Sequence, residues 1–91
     1  MKRDDALSIA ERIINGERAD TYGDASENFT RIANMWAEVL QVPVTAEQVA
    51  LCMTLVKVGR LIESPAHEDS WVDAIGYIAL GVEVATEESD L

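Results

Sequence analysis

The chain has 91 residues, of which 48% are hydrophobic and only 5% aromatic, so we expect one small domain with an aliphatic core. Its 17 acidic residues outnumber 7 basic ones and give a net charge of −10, which argues against a nucleic-acid or anionic-membrane surface but leaves room for a phosphorylated small molecule. The single cysteine, Cys52, excludes a disulfide within these residues, and no apolar run reaches the length of a membrane span.

The first helix is predicted from about Asp4 to Asn15. Apolar residues recur at helical spacing along it, and acids at its start favour the helix dipole. Gly16 suits the C-terminal cap. The segment GERADTYGD that follows is polar and contains two glycines, so we expect a loop.

The second helix is predicted to begin at Asp24, which with Glu27 resembles a capping box. The segment QVPV ends it. One face repeats apolar residues at helical spacing, and we expect this face in the core. Its members are Phe29, Ile32, Ala33, Trp36 and Leu40.

The third helix is predicted from a second capping box, Thr45 with Gln48, to about Ile62. It is apolar on nearly every side, and Cys52 within it is expected to behave as a small buried hydrophobic residue. A helix of this kind is normally covered on most sides. We therefore expect it at the centre of the fold or at a subunit interface.

The fourth helix is predicted from about Asp69 to Thr86, and the acidic tail 87–91 is expected to fray. Gly76 and Gly81 are poor helix formers, which suggests that another helix approaches closely. One stripe is expected to pack in the core, and it consists of Trp71, Ile75, Ile78 and Val82. Together these elements predict a single all-α domain, residues 1–91, with the arrangement of a four-helix bundle.

The third and fourth helices should form an antiparallel hairpin, because only the short Ser64–Pro65 break separates them. This pairing places Lys57 opposite Asp73 and Arg60 opposite Asp69. Charges among apolar residues are costly unless they are paired or used. The pattern leaves two readings open, a pair of structural salt bridges or a ligand site.

Under the ligand reading, the cations Lys57 and Arg60 hold a phosphate, assisted by Arg18 or Arg31. Tyr22 and Asn28 are candidates for contacts to a base, and the equally plain alternative for Tyr22 is a residue that pins the loop. Asp69, Asp73 and Tyr77 share one helix face, where the acids would orient the cations. His67 is expected to begin the fourth helix rather than to act as a base.

Three segments together resemble a family of small uncharacterised phage and prophage proteins. They are RADTYGDASENFTRIANMW, TAEQVALCMTLVKVGRL and HEDSWVDAIGYIAL, and the similarity covers roughly Arg18 to Glu83. The family is viewed as distantly related to the MazG-like all-α nucleotide pyrophosphohydrolases. The resemblance implies a helical bundle, a dimer or larger homo-oligomer, and a nucleotide ligand. Because the sequence shows neither a signal-peptide core nor a membrane span, we expect the protein in the cytoplasm, that of the host cell if a phage encodes the chain.

The resemblance also has departures that bear on catalysis. MazG enzymes bind Mg²⁺ through an ExxE pair and an ExxD pair on two helices. Here Asp73 matches the last acid, Ser70 stands in place of the glutamate, and the other helix carries Lys57 and Arg60. We therefore expect nucleotide binding without hydrolysis, with no cofactor, in a protein that sequesters a signal of bacterial defence.

Two alternatives remain open from the sequence. One is a Mg²⁺-dependent pyrophosphohydrolase with Asp69 and Asp73 as metal ligands. The other is an acidic inhibitor that binds a host defence protein by mimicking nucleic acid, which the net charge of −10 motivates. Against the second, the acids are spread over helix starts, loop and tail.

Overall fold

The structure is a computed structural model that describes residues 1–16 and 24–86. Within these ranges the chain is all-α, and four helices pack together. They are α1 (Arg3–Asn15), α2 (Ala25–Leu40), α3 (Ala46–Glu63) and α4 (Glu68–Thr86). Each helix lies within about two residues of its predicted position. The predicted loop between α1 and α2 and the tail 87–91 fall outside the described residues, apart from Gly16 and Asp24.

The helix ends follow the local chemistry of the sequence. The Thr45 side chain accepts a hydrogen bond from the Gln48 amide, and the Gln48 side chain accepts one from the Thr45 amide, which confirms the predicted capping box. Asp24 is also an N-cap, but its carboxylate accepts from the Ser26 amide. The reciprocal bond that we predicted from Glu27 is not formed.

Gly16 ends α1 as predicted, but not through a left-handed backbone. Its φ is −103°, whereas the glycine cap that the pattern suggested has a positive φ. A side chain here would place its Cβ 2.6 Å from the Arg12 carbonyl oxygen. Gly16 is therefore required because the turn brings it against the backbone of α1.

The hairpin of α3 and α4 is the centre of the fold and holds its densest helix–helix contacts. Helix α1 packs on α4, while α2 packs mainly on α3. Leu80 of α4 lies next to both α1 and α2. It lines a small cavity beside α1, and it packs against the core around Phe29 and Ala33 of α2. Both α1 and α2 therefore cover one face of the hairpin.

The two glycines of α4 lie where neighbouring helices approach most closely, as predicted. A Cβ on Gly76 would lie 3.1 Å from a methyl carbon of Ile14 in α1. A Cβ on Gly81 would lie 3.1 Å from the Cβ of Ala50 in α3. Both approaches occur within one chain, so these glycines no longer argue for a partner subunit.

The predicted core face of α4 was wrong. Trp71, Ile78 and Val82 are exposed, and the buried positions of this helix are Ser70, Val72 and Gly76. The α4 sequence carries apolar residues on two faces, and only the face toward α1, α2 and α3 is covered.

Exposure also corrects three smaller expectations. Cys52 is exposed rather than buried. Leu40, the last member of the α2 stripe, is exposed, although Phe29 and Ala33 of that stripe are buried. Helix α3 is apolar all round but is covered only on the side of Val49, Ala50 and Leu61.

None of the described helices is both long and apolar enough to cross a membrane.

Candidate functional site

The predicted pairing of Lys57 with Asp73 is confirmed. The Lys57 Nζ lies 3.0 Å from a carboxylate oxygen of Asp73, and the two side chains are 22% and 21% exposed. Antiparallel packing of α3 on α4 brings them together from different helices. Both charges lose some hydration in this half-buried position. Removing one of them would therefore leave the other unpaired and destabilise the fold.

The second predicted pair, Arg60 with Asp69, is not formed among the described residues. Both residues are exposed. Arg60 lies three residues beyond Lys57, which places it about 60° round the helix from the lysine. This rotation carries Arg60 out of the contact with α4, so the guanidinium faces solvent with no carboxylate holding it.

Tyr77 lies one helical turn beyond Asp73 and is half-buried. Its ring packs against the core cluster, and together with Asp73 it lines a cavity of about 30 Å³ beside Ile14 of α1. A cavity of this volume holds about one water molecule, so it is no pocket for a ligand. The structure thus pairs Lys57 with Asp73 and places Tyr77 one turn further along α4, beside the same small cavity as Asp73.

Ile14 was missed as part of this site. The wall beside Asp73 and Tyr77 comes from α1, which the sequence analysis treated only as a core helix. The signal was present in Gly76, because a mid-helix glycine marks the side of α4 on which another helix lies.

The remaining candidates are only partly described. Arg31 donates a 3.5 Å hydrogen bond to the Asn28 side chain, so these two lie together near the start of α2. Arg31 is exposed and Asn28 half-buried. Arg18 and Tyr22 lie outside the described residues, and their predicted roles stay predictions.

The acids do not assemble into a metal centre within residues 1–16 and 24–86, where no three side chains among His, Cys, Asp and Glu come together as ligands. Ser70, which stands at a position of the ExxD pattern, is buried and bonded to the His67 ring at 2.7 Å. His67 thus lies directly before α4 and bonds to its first turn, which agrees with the predicted place at the helix start. With Asp73 engaged by Lys57 and Asp69 exposed, the described residues do not fit a Mg²⁺ cluster of the MazG kind.

Comparison with known proteins places the chain in a family. Residues 5–85 match the family described as "Domain of unknown function (DUF6378)". The chain belongs to this family. The matched residues include both members of the Lys57–Asp73 pair and nearly all of the four helices around it.

Two relatives of this DUF6378 chain come from phages, which confirms the predicted resemblance to phage proteins. The "Gene 55 protein" of Mycobacterium phage L5 is 49% identical over 72 residues, which are 78% of this chain and 46% of that protein. The "Gene 55 protein" of Mycobacterium phage D29 is 38% identical over 71 residues, 78% of this chain and 47% of that protein. The chain therefore spans less than half the length of these relatives. No solved structure matches.

Proposed function

We propose that this chain binds a phosphorylated nucleotide without hydrolysing it. Lys57 and Arg60 hold the phosphate, with Arg18 or Arg31 assisting, and Asp73 orients Lys57. Tyr22 and Asn28 contact the base. In a phage-encoded protein such binding would sequester a nucleotide signal of the host's defence in the host cytoplasm.

The observation that carries the proposal is the Lys57–Asp73 pair, with Arg60 one turn away and in no ion pair among the described residues. Lys57 is held in place at 3.0 Å by a carboxylate on the facing helix, so its ammonium is oriented before a ligand arrives. Arg60 lies one turn further along α3, exposed, with a guanidinium fork that matches phosphate geometry. An oriented lysine and an exposed arginine one turn apart suit a direct phosphate contact.

The donor set supports binding over hydrolysis. MazG-type hydrolysis needs carboxylates on two helices to hold Mg²⁺ against the phosphates. Opposite Asp73, α3 carries Lys57 where a second acid would be needed. On α4, Ser70 occupies the place of the glutamate and is buried against His67. These substitutions favour cations that touch the phosphate directly.

The proposal also includes a MazG-like helical arrangement and self-association. The antiparallel α3–α4 hairpin with two further helices on one face supports the first part. The second rests on the many exposed large apolar side chains of the described residues.

A thermal-unfolding screen against nucleotides tests the binding. Nucleoside mono-, di- and triphosphates and cyclic nucleotides are each added with EDTA and, separately, with Mg²⁺. A ligand that binds the folded protein raises the unfolding temperature by mass action. We expect at least one nucleotide to raise it in EDTA. A rise that occurs only with Mg²⁺ would favour the enzyme.

A pyrophosphate assay tests the enzyme alternative. The protein is incubated with each canonical nucleoside triphosphate and Mg²⁺, and we expect no release. Turnover that disappears in Asp73→Asn, while circular dichroism shows that the variant is still folded, would replace the binding proposal with hydrolysis.

A further inference from the structure

Two apolar stripes run along the α3–α4 hairpin, and all their members are exposed except Ile75, which is half-buried. The apolar residues of the α3 stripe follow one another at intervals of four, three and four residues, and those of the α4 stripe have the same spacing. This is the heptad spacing of a helix seam that packs against another helix. The stripe members are Leu51, Leu55, Val58 and Ile62 on α3, and Trp71, Ile75, Ile78 and Val82 on α4.

The stripes lie on the hairpin face that α1 and α2 leave uncovered. Ile78 and Val82 are each two residues from Leu80, so they point about 160° away from the side that α1 and α2 cover. On α3, Leu55 is 65% exposed and Ile62 is 80% exposed, whereas Leu61 is buried. We call this surface, formed by the eight stripe residues, the open hairpin face.

From this surface we infer that the open hairpin face binds the same face of a second copy, so that two hairpins form a two-fold symmetric helical dimer. The inference rests on the self-association proposed above but not on the nucleotide. A two-fold dimer needs a self-complementary patch. Two heptad stripes on neighbouring antiparallel helices supply one, and none of the eight side chains is charged, in a chain whose net charge is −10.

The exposure of the stripes agrees with a missing partner. Leu51, Leu55 and Ile62 of α3 are 55%, 65% and 80% exposed, and Trp71 and Val82 of α4 are 51% and 60% exposed. Contiguous exposed apolar side chains of this kind mark surfaces that another protein covers.

Gly59 adds an independent observation. It lies in the middle of the C-terminal half of α3, on the exposed side, between Leu55 and Ile62 of the stripe. A Cβ at Gly59 would meet nothing within 4 Å, whereas Gly76 and Gly81 each face a neighbouring helix at 3.1 Å. Nothing within the described chain explains this glycine, and close approach by a partner helix does.

Sedimentation of the full chain with charged substitutions tests the inference. Leu55→Glu and Ile78→Glu each place an acid on the open hairpin face, one on each helix. Val39→Glu is the matched control, because Val39 is 81% exposed but belongs to another apolar patch, at the end of α2. At micromolar concentration we expect the unsubstituted protein and the control to sediment as dimers, and both face variants at half that mass.

A thiol-reactivity measurement keeps the test decisive if a charged variant fails to fold. In a Cys52→Ser background, Leu55→Cys and Val39→Cys are compared for their rate of reaction with a maleimide. We expect the thiol at position 55 to react much more slowly than the thiol at position 39, because the second copy covers it. Equal rates would overturn the inference.

The other outcomes separate the two assembly claims. A monomeric unsubstituted protein would refute both self-association and this face, and would leave nucleotide binding to its own test. A dimer that Val39→Glu disrupts and that Leu55→Glu and Ile78→Glu leave intact would refute this face alone and assign the interface to the α2 patch.

Discussion

At the scale of single residues, Arg60 is the sharpest probe of the phosphate proposal. It is exposed and forms no ion pair with Asp69, so removing it leaves no buried charge behind. We expect Arg60→Ala to keep the fold and to weaken nucleotide binding by roughly 1.5–3 kcal/mol, the strength of a charge-assisted hydrogen bond to phosphate. Binding titration measures the loss and circular dichroism the fold.

Arg12→Ala is the matched control, because Arg12 is an exposed arginine on α1 and is not among the residues assigned to the nucleotide. It should bind nucleotide as the unsubstituted protein does. An Arg60→Ala variant that binds equally well would remove Arg60 from the site. An unfolded Arg60→Ala variant would show instead that the arginine has a structural role.

The Lys57–Asp73 pair calls for a double-mutant cycle. Asp73→Leu alone leaves a half-buried lysine unpaired, and we expect it to lower the free energy of unfolding by about 1–3 kcal/mol. Adding Lys57→Met should recover most of that loss, since an apolar pair of similar size is often as stable as an ion pair. Urea unfolding measures each step. No recovery would mean that the acid acts through other contacts.

The double variant also separates the two readings of the pair. If Lys57 holds phosphate, the double variant with Lys57→Met and Asp73→Leu should fold but should no longer bind nucleotide. If the pair is only structural, binding should persist. The sequence predicted this pair from antiparallel register, but it could not predict that three residues of rotation take Arg60 out of the same contact.

At the scale of the helices, the boundaries were predictable because caps and breaks are local. The choice of buried face was not. Helix α4 carries one heptad stripe through Trp71 and Ile78 and another apolar side through Val72 and Leu80, and periodicity alone does not say which is inside. The glycines held the answer, since Gly76 and Gly81 mark the sides where α1 and α3 lie.

The two glycines of α4 give a matched pair of predictions. Alanine raises helix propensity at either position by about 1 kcal/mol, but each new Cβ meets an atom at 3.1 Å. At Gly76 that atom is the branch methyl of Ile14, one bond further from its backbone, whereas at Gly81 it is the Cβ of Ala50, bonded directly to the α3 backbone. We expect Gly81→Ala to lower the thermal unfolding temperature more than Gly76→Ala. The reverse order would place the tighter helix contact at α1.

At the scale of the whole molecule, composition and helical periodicity predicted a single all-α domain but did not show which of its surfaces are covered. Several acids lie in the first turns of helices, where they favour the helix dipole, among them Asp4, Asp5, Glu47, Glu68 and Asp69. This distribution accounts for part of the net charge of −10 without a nucleic-acid mimic. Self-association was motivated by apolar content, and only the structure separates the covered face of the hairpin from the open one.

The most direct test of the central claim is to recover the bound ligand. The nucleotide that stabilises the protein most in the unfolding screen is equilibrated with it in EDTA and again with Mg²⁺, and the complex is separated and denatured. We predict that the nucleotide is bound under both conditions and is released chemically unchanged. Absence of binding in EDTA, or release of a monophosphate together with pyrophosphate, would contradict the account.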